Sequence, residues 1–162
     1  MDFFVIAQKM ETEGKAYYEK MAAETPIAEL KGVFAFLAHE EQRHYNLFHA
    51  LAQKSELPKK DNENSLAEKI KEIFGQLTTS FSVPEIIYDY QAAYNKALQM
   101  ERESVKYYTE ALESAEPDQK AVLEIIIKEE NAHVKLIESL IDFVENPKVW
   151  LENSEWHHLD AY

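Results

Sequence analysis

Two stretches of this chain place a glutamate and a histidine three residues apart within an otherwise apolar helical stripe: Glu41 with His44, and Glu130 with His133. Residues at i and i+3 share one face of a helix, so each pair can reach a single ion. Two further acids, Glu11 and Glu101, hold the equivalent place in two other stripes. These run Phe4, Ala7, Glu11, Gly14, Tyr18, Met21 and Tyr94, Ala97, Glu101, Ser104, Tyr108, Ala111. Four carboxylates converging in an apolar core are prohibitively unfavourable if they stay ionised and unpaired. Protons can neutralise them through strongly raised pKa values. Two divalent cations also match the four negative charges, with neutral imidazoles completing the set. The candidate metal ligands are therefore Glu11, Glu41, His44, Glu101, Glu130 and His133.

The helical phase separates these six from their acidic neighbours. In Phe34, Leu37, Glu41, His44, Phe48 and in Leu123, Ile126, Glu130, His133, Ile137 the polar residues interrupt core-facing seams. Glu40 and Glu129 sit ~100° from those seams, and Glu13 and Glu103 are turned ~200° from Glu11 and Glu101; all four are expected to be surface charge. His39 and His49 also fall off the seam. The small residues Ala7, Gly14, Ala97 and Ser104 flank Glu11 and Glu101 and leave room for ions, water or oxygen. Tyr18 and Tyr108 read as core packing, with hydroxyls placed to hydrogen-bond a ligand glutamate. Glu155 and His158 repeat the Glu-x-x-His spacing with no matching partners, which shows how little the spacing means alone.

Four long helices must position this set. Asp2 can cap the first, to about Ala23; Thr25-Pro26 opens a second, to about Ser55. Leu57 to Asn64 reads as loop, Ser65-Leu66-Ala67-Glu68 as the start of a short helix that Gly75 can close, and Ser82-Val83-Pro84-Glu85 as the start of a third long helix to about Ser114. Pro117-Asp118 begins a fourth, which Asn146-Pro147 ends. Met10-Glu11 with Tyr17-Tyr18 recurs 90 residues later, and Glu40-Glu41 with His44 recurs 89 residues later. Two near-equal offsets joining different motifs imply a duplicated helical hairpin. The expected fold is an all-α four-helix bundle of two duplicated hairpins with one long crossover. It spans residues 1–145, followed by a tail over 146–162, rich in aromatics (Trp150, Trp156, His157, His158), that packs on the bundle or a neighbouring subunit.

Composition agrees with this reading. The 162 residues include 3 Gly and 5 Pro, and none is Cys. Any metal must therefore be held by oxygen and imidazole, and disulfides, thiolate nucleophiles and cysteine-ligated iron are excluded. The net charge of −13 opposes nucleic acid and anionic lipid as partners. The opening residues carry no basic leader and their apolar run is short, so a cytoplasmic protein is expected.

The motifs Met10-Glu11…Tyr17-Tyr18, Glu40-Glu41-Gln42-Arg43-His44, Met100-Glu101…Tyr107-Tyr108 and Glu129-Glu130-Asn131-Ala132-His133 resemble those of the ferritin-like superfamily, most closely the rubrerythrin-type proteins. The resemblance covers residues 1 to about 145. It implies two Fe ions per chain, with Mn as an alternative, one histidine to each ion, and either Glu41 and Glu130 or Glu11 and Glu101 as the bridging pair. It further implies an oxidoreductase reacting with peroxide or dioxygen; the alternatives are an iron-binding or ferroxidase storage module and a metal-free structural bundle. By analogy of fold, a homodimer or higher homo-oligomer is expected. Two departures stand out. Rubrerythrins proper carry a cysteine-ligated rubredoxin-like iron, so here electrons would come from a separate donor. They also carry a glutamate one turn beyond the third-helix ligand, where this chain has Ser104.

Overall fold

The computed structural model describes residues 2–59, 68–69, 71–73, 75–76 and 90–146. Four long helices make up most of it: α1 (Phe3–Glu24), α2 (Ala28–Gln53), α3 (Gln91–Leu112) and α4 (Pro117–Glu145). Among the described residues there is no strand, and no helix is long and apolar enough to cross a membrane. The expected start of the third helix at Ser82–Glu85 and the whole tail after Asn146 lie outside the described residues, as do Glu155 and His158. Of the short helix in the crossover, residues 68–69, 71–73 and 75–76 are described, and they are helical.

Local chemistry sets the helix ends. The Asp2 carboxylate accepts a hydrogen bond from the Phe4 amide and caps α1. Glu116 caps α4 in a reciprocal box with Gln119, and Pro117 fills the first helical position, where a missing N–H costs nothing. One boundary differs from expectation. Thr25-Pro26 does not open α2; Thr25 closes α1, its amide bonded to the Met21 carbonyl, and α2 begins at Ala28 behind Ile27. Thr25 and Ile27 are buried at this turn, so packing against the bundle end moves the helix start two residues on.

The duplication is visible in three dimensions. The pattern of buried and exposed positions over residues 11–20 recurs residue for residue over 101–110. Tyr18 of α1 meets Glu101 of α3 while Tyr108 of α3 meets Glu11 of α1, so these two helices run antiparallel. Lys15 pairs with Gln42 and Gln8 with His49, so α1 and α2 are antiparallel as well. Hence α2 and α3 run the same way, as in a ferritin-like topology.

The apolar core is split in two. One cluster, containing Leu30, Phe34, Leu37, Tyr94, Leu140 and Phe143, fills one end of the bundle. A second, containing Ala7, Phe48, Tyr108, Val122, Leu123 and Ile126, fills the other. Between them lies a layer of buried charge, and it holds all six residues singled out from the sequence. Glu11, Glu41, His44, Glu101, Glu130 and His133 are each at most 4% exposed, a burial such residues almost never reach unpaired.

Candidate metal centre

Each helix delivers its polar residues to this layer from one face. His44 Nδ1 lies 3.2 Å from Glu130 Oε1 and 3.6 Å from Glu11 Oε2. His133 Nδ1 lies 3.1 Å from Glu130 Oε2, and 3.6 Å from both Glu41 Oε1 and Glu101 Oε2. The two imidazole rings are stacked with centroids 5.7 Å apart. Two overlapping groups result, Glu11, Glu41, His44, Glu130 and Glu41, Glu101, Glu130, His133. Within each group, one oxygen or nitrogen per residue lies within 4.8 Å of all the others. Glu41 and Glu130 belong to both groups, Glu11 and Glu101 to one each. Of the two pairs left open by the sequence, Glu41 with Glu130 is the one common to both groups.

The tyrosines complete a crossed arrangement. Tyr18 Oη donates to Glu101 Oε1 and Tyr108 Oη to Glu11 Oε1, so each hairpin's tyrosine holds the other hairpin's glutamate. Burial, reinforced by the charge of the glutamate it meets, raises both phenols far above their ordinary range, which keeps each hydroxyl a donor. With one oxygen of Glu11 and of Glu101 engaged this way, the other faces the histidine.

The remaining polar atoms provide the test of fit. Glu11 Oε2, Glu41 Oε1, His44 Nδ1, Glu130 Oε1 and His133 Nε2 are buried and make no hydrogen bond among the described residues. Native proteins rarely leave such atoms unsatisfied, and four of these five converge on the centre. They are hard oxygens and imidazole nitrogens, a donor set suited to iron or manganese.

The charges are unevenly held among the protein's own groups. Burial, then the charges of Glu130, Glu11 and Glu101, pushes the Glu41 carboxyl well above the ordinary range. Burial and Glu130 likewise raise Glu11, and raise Glu101 to about 7. Burial alone would raise Glu130 too, but the charge on His44 and the hydrogen bond from His133 hold it below the carboxylate range. Burial would lower both histidines. The surrounding carboxylates outweigh it, led by Glu130 at His44, which is raised well above its usual value, and by Glu101 at His133, raised to about 10. The protein's own groups thus favour the ionised form of Glu130, which lies between the two histidines, and the protonated forms of Glu41, Glu11 and Glu101.

Two expectations about the flanking acids need correction. Glu40 is buried and Glu129 half-buried, where surface charge was expected. Arg43 joins them: its guanidinium donates to Glu40 Oε1 at 3.3 Å, to Glu40 Oε2 at 2.9 Å and also to Glu129. Glu129 Oε2 in turn lies 3.0 Å from His44 Nε2, on the outer side of the ring. A phase of ~100° from the seam puts a side chain at the flank where α2 meets α4, and the facing helix decides whether it is covered. Arg43, three residues after Glu40, was the available signal. Glu13, Glu103, His39 and His49 are exposed, as expected; His49 is stacked on Tyr45.

A cavity of about 50 Å³ opens between α1 and α3. Glu13 and Glu103 stand at its mouth with Met10 and Met100, while Gly14, Ser104, Glu41 and Glu101 form its inner wall. It has room for a few waters or a small oxidant beside the centre. Gly14 has a sharper role. A Cβ there would lie on top of Glu41 Oε2 and 3.2 Å from Glu41 Cδ. Because a carboxylate can swing, Gly14→Ala is expected to lower stability by only about 1 kcal/mol, at the low end for overpacking. Displacement of Glu41 should nonetheless weaken metal binding by roughly 10-fold or more. Gly32→Ala is the control: nothing lies within 4 Å of the added Cβ, so binding should be unchanged. Calorimetric metal titrations of the two variants check this.

An antiparallel bundle with two carboxylate–histidine groups sharing two glutamates at its midplane is a ferritin-like carboxylate bundle. The chain belongs to the rubrerythrin family, whose family model, described as Rubrerythrin, matches residues 2–141. Comparison with curated proteins and with solved structures gave no match.

Proposed function

We propose that this protein is a non-haem di-iron oxidoreductase, in which Glu11, Glu41, His44 and Glu130 would hold one ion and Glu41, Glu101, Glu130 and His133 the other, with Glu41 and Glu130 available to both. The observation that carries this reading is the pair of overlapping donor groups with their unpartnered buried atoms, in a chain of the rubrerythrin family. Bound iron would supply electrons and Lewis acidity for reduction of peroxide or dioxygen. The chain's own part is to hold and orient. Tyr18 and Tyr108 fix one oxygen of each terminal glutamate, the two apolar clusters keep bulk water from the ends, and the cavity beside Glu41 and Glu101 admits a small oxidant. Anaerobic ferrous loading followed by peroxide or air tests this. The expected result is a near-ultraviolet charge-transfer band of oxidised iron, with oxidant consumed in proportion to protein. Neither signal appearing from a loaded sample would sink the redox reading.

A second reading, an iron-binding module that oxidises iron without turning over a substrate, is favoured by Ser104. This residue lines the cavity next to Glu101, where rubrerythrins proper present a further carboxylate. Iron per chain well above two, together with a shell-sized assembly on size-exclusion chromatography, would select it.

The same groups set a pH dependence. Glu101 and His133 bind protons more tightly in the folded chain, at about 7 against 4.5 and about 10 against 6.5. Their contribution to stability is complete below the unfolded values and is lost as pH rises through the folded ones. Glu129, lowered to about 2 despite burial by His44 and then Arg43, acts oppositely and loses its contribution only as pH falls from 4.5 toward 2. Chelator-treated protein should therefore melt several degrees lower at pH 9 than at pH 5. Metal-loaded protein should not follow that trend, because deprotonation favours its ligands. Scanning calorimetry across this range is the check.

A further inference from the structure

The duplicated hairpins are not chemically equivalent around the centre, and the difference lies behind the histidines. Residues related by the 89-residue offset are Glu40 and Glu129, Arg43 and Ala132, His44 and His133. The arginine exists in the first repeat only. Arg43 bonds both flanking acids, Glu40 through two contacts, and so draws Glu129 to the outer side of His44, where its carboxylate lies 3.0 Å from Nε2. The equivalent nitrogen, His133 Nε2, is buried and has no hydrogen-bond partner among the described residues, and Glu40, the acid related to Glu129, is bonded to Arg43 instead. Fixing the outer nitrogen of a ligand histidine sets which nitrogen faces the metal, holds the ring's orientation and raises its basicity. A second observation points to the same half of the centre. Of the four residues that belong to one group only, Glu101 alone lines the cavity between α1 and α3; Glu41, which also lines it, is common to both groups.

From this asymmetry we infer that the centre has one tight and one exchangeable position: Arg43 and Glu129 lock the Glu11–His44 half, and the Glu101–His133 half, unlocked and facing the cavity, takes up and releases its ion. Arg43 and Glu129 are positioning residues that act through His44. The inference rests on the two-ion reading of the site, and its test separates the two.

Cobalt(II), titrated into the full-length chelated protein and followed by calorimetry and visible absorption, should bind in two steps of about one ion each, with affinities separated by roughly 10-fold or more. His133→Ala should abolish the weaker step and leave the tighter one. Glu129→Ala or Arg43→Ala should weaken the tighter step by about 10–100-fold while the weaker step persists, the size expected for loss of a group that orients a ligand. Persistence of the weaker step also shows that the variant is folded. Arg43→Lys, which keeps the charge, should recover part of the lost affinity, which a purely structural role for the arginine would not give. Two ions of equal affinity in the unmodified protein would overturn the asymmetry and leave the two-ion site standing. So would a Glu129→Ala effect confined to the weaker step. If no cobalt binds, both readings fall.

Discussion

Protein loaded with two divalent ions is expected to melt about 20 °C above the same protein treated with a chelator. The size follows from linkage. A ligand present at about 1,000 times its dissociation constant stabilises the folded chain by ~4 kcal/mol, so two such ions contribute ~8 kcal/mol. For a chain of this length each kcal/mol moves the midpoint by ~2–4 °C. The direction follows from the centre itself. Six titratable side chains are confined to one layer between two apolar clusters, and their mutual interactions with burial shift Glu41, Glu11 and Glu101 and both histidines upward. Divalent ions replace that arrangement with direct coordination of atoms that otherwise lack partners. Paired melts with and without chelator, repeated at rising ion concentration, measure the effect. A shift of less than a few degrees at saturating iron or manganese would contradict the two-ion reading.

Much of this centre was legible in the sequence because helical periodicity is a strong signal and polar interruptions of an apolar stripe are few. Glu11 between Ala7 and Gly14, and Glu101 between Ala97 and Ser104, could be placed inward from spacing alone, and all six residues lie in the buried layer. The duplicated hairpin was legible for a related reason, since two motifs recur with one separation. Other features depend on how one helix is set against another, and no single stripe records that. Whether Glu41 and Glu130 or Glu11 and Glu101 are shared depends on the relative height and rotation of the four helices. The covering of Glu40 and Glu129 depends on Arg43 reaching across from α2 to α4. The need for glycine at position 14 arises from the approach of Glu41 from the neighbouring helix. The start of α2 shifted from Thr25-Pro26 to Ala28 because Thr25 and Ile27 are buried at the turn, a tertiary effect that outweighs a local capping preference.

The two shared glutamates should respond differently to removal, although both are expected to be needed for metal. Each belongs to both donor groups, so Glu41→Gln and Glu130→Gln should each reduce bound metal from about two ions per chain to less than one, whereas Glu11→Gln should leave about one. Stability under chelation is where the pair diverges. Glu130 is the acid whose ionised form the histidines favour, with one oxygen 3.2 Å from His44 and the other 3.1 Å from His133. Neutralising it strands two buried imidazolium rings, a change of the kind that costs about 3–5 kcal/mol, or roughly 10 °C in the melt. Burial and three neighbouring carboxylates push the Glu41 carboxyl toward its protonated form, and an amide imitates that neutral form. Chelated Glu41→Gln should therefore melt within a few degrees of the unmodified chain, and above it at alkaline pH, where the carboxyl would otherwise be driven to ionise. Metal stoichiometry by plasma emission and melts of the chelated proteins at pH 6 and pH 9 give both readouts on the same samples. Equal destabilisation by the two substitutions would show that the proton is shared evenly and that Glu130 has no special standing between the histidines.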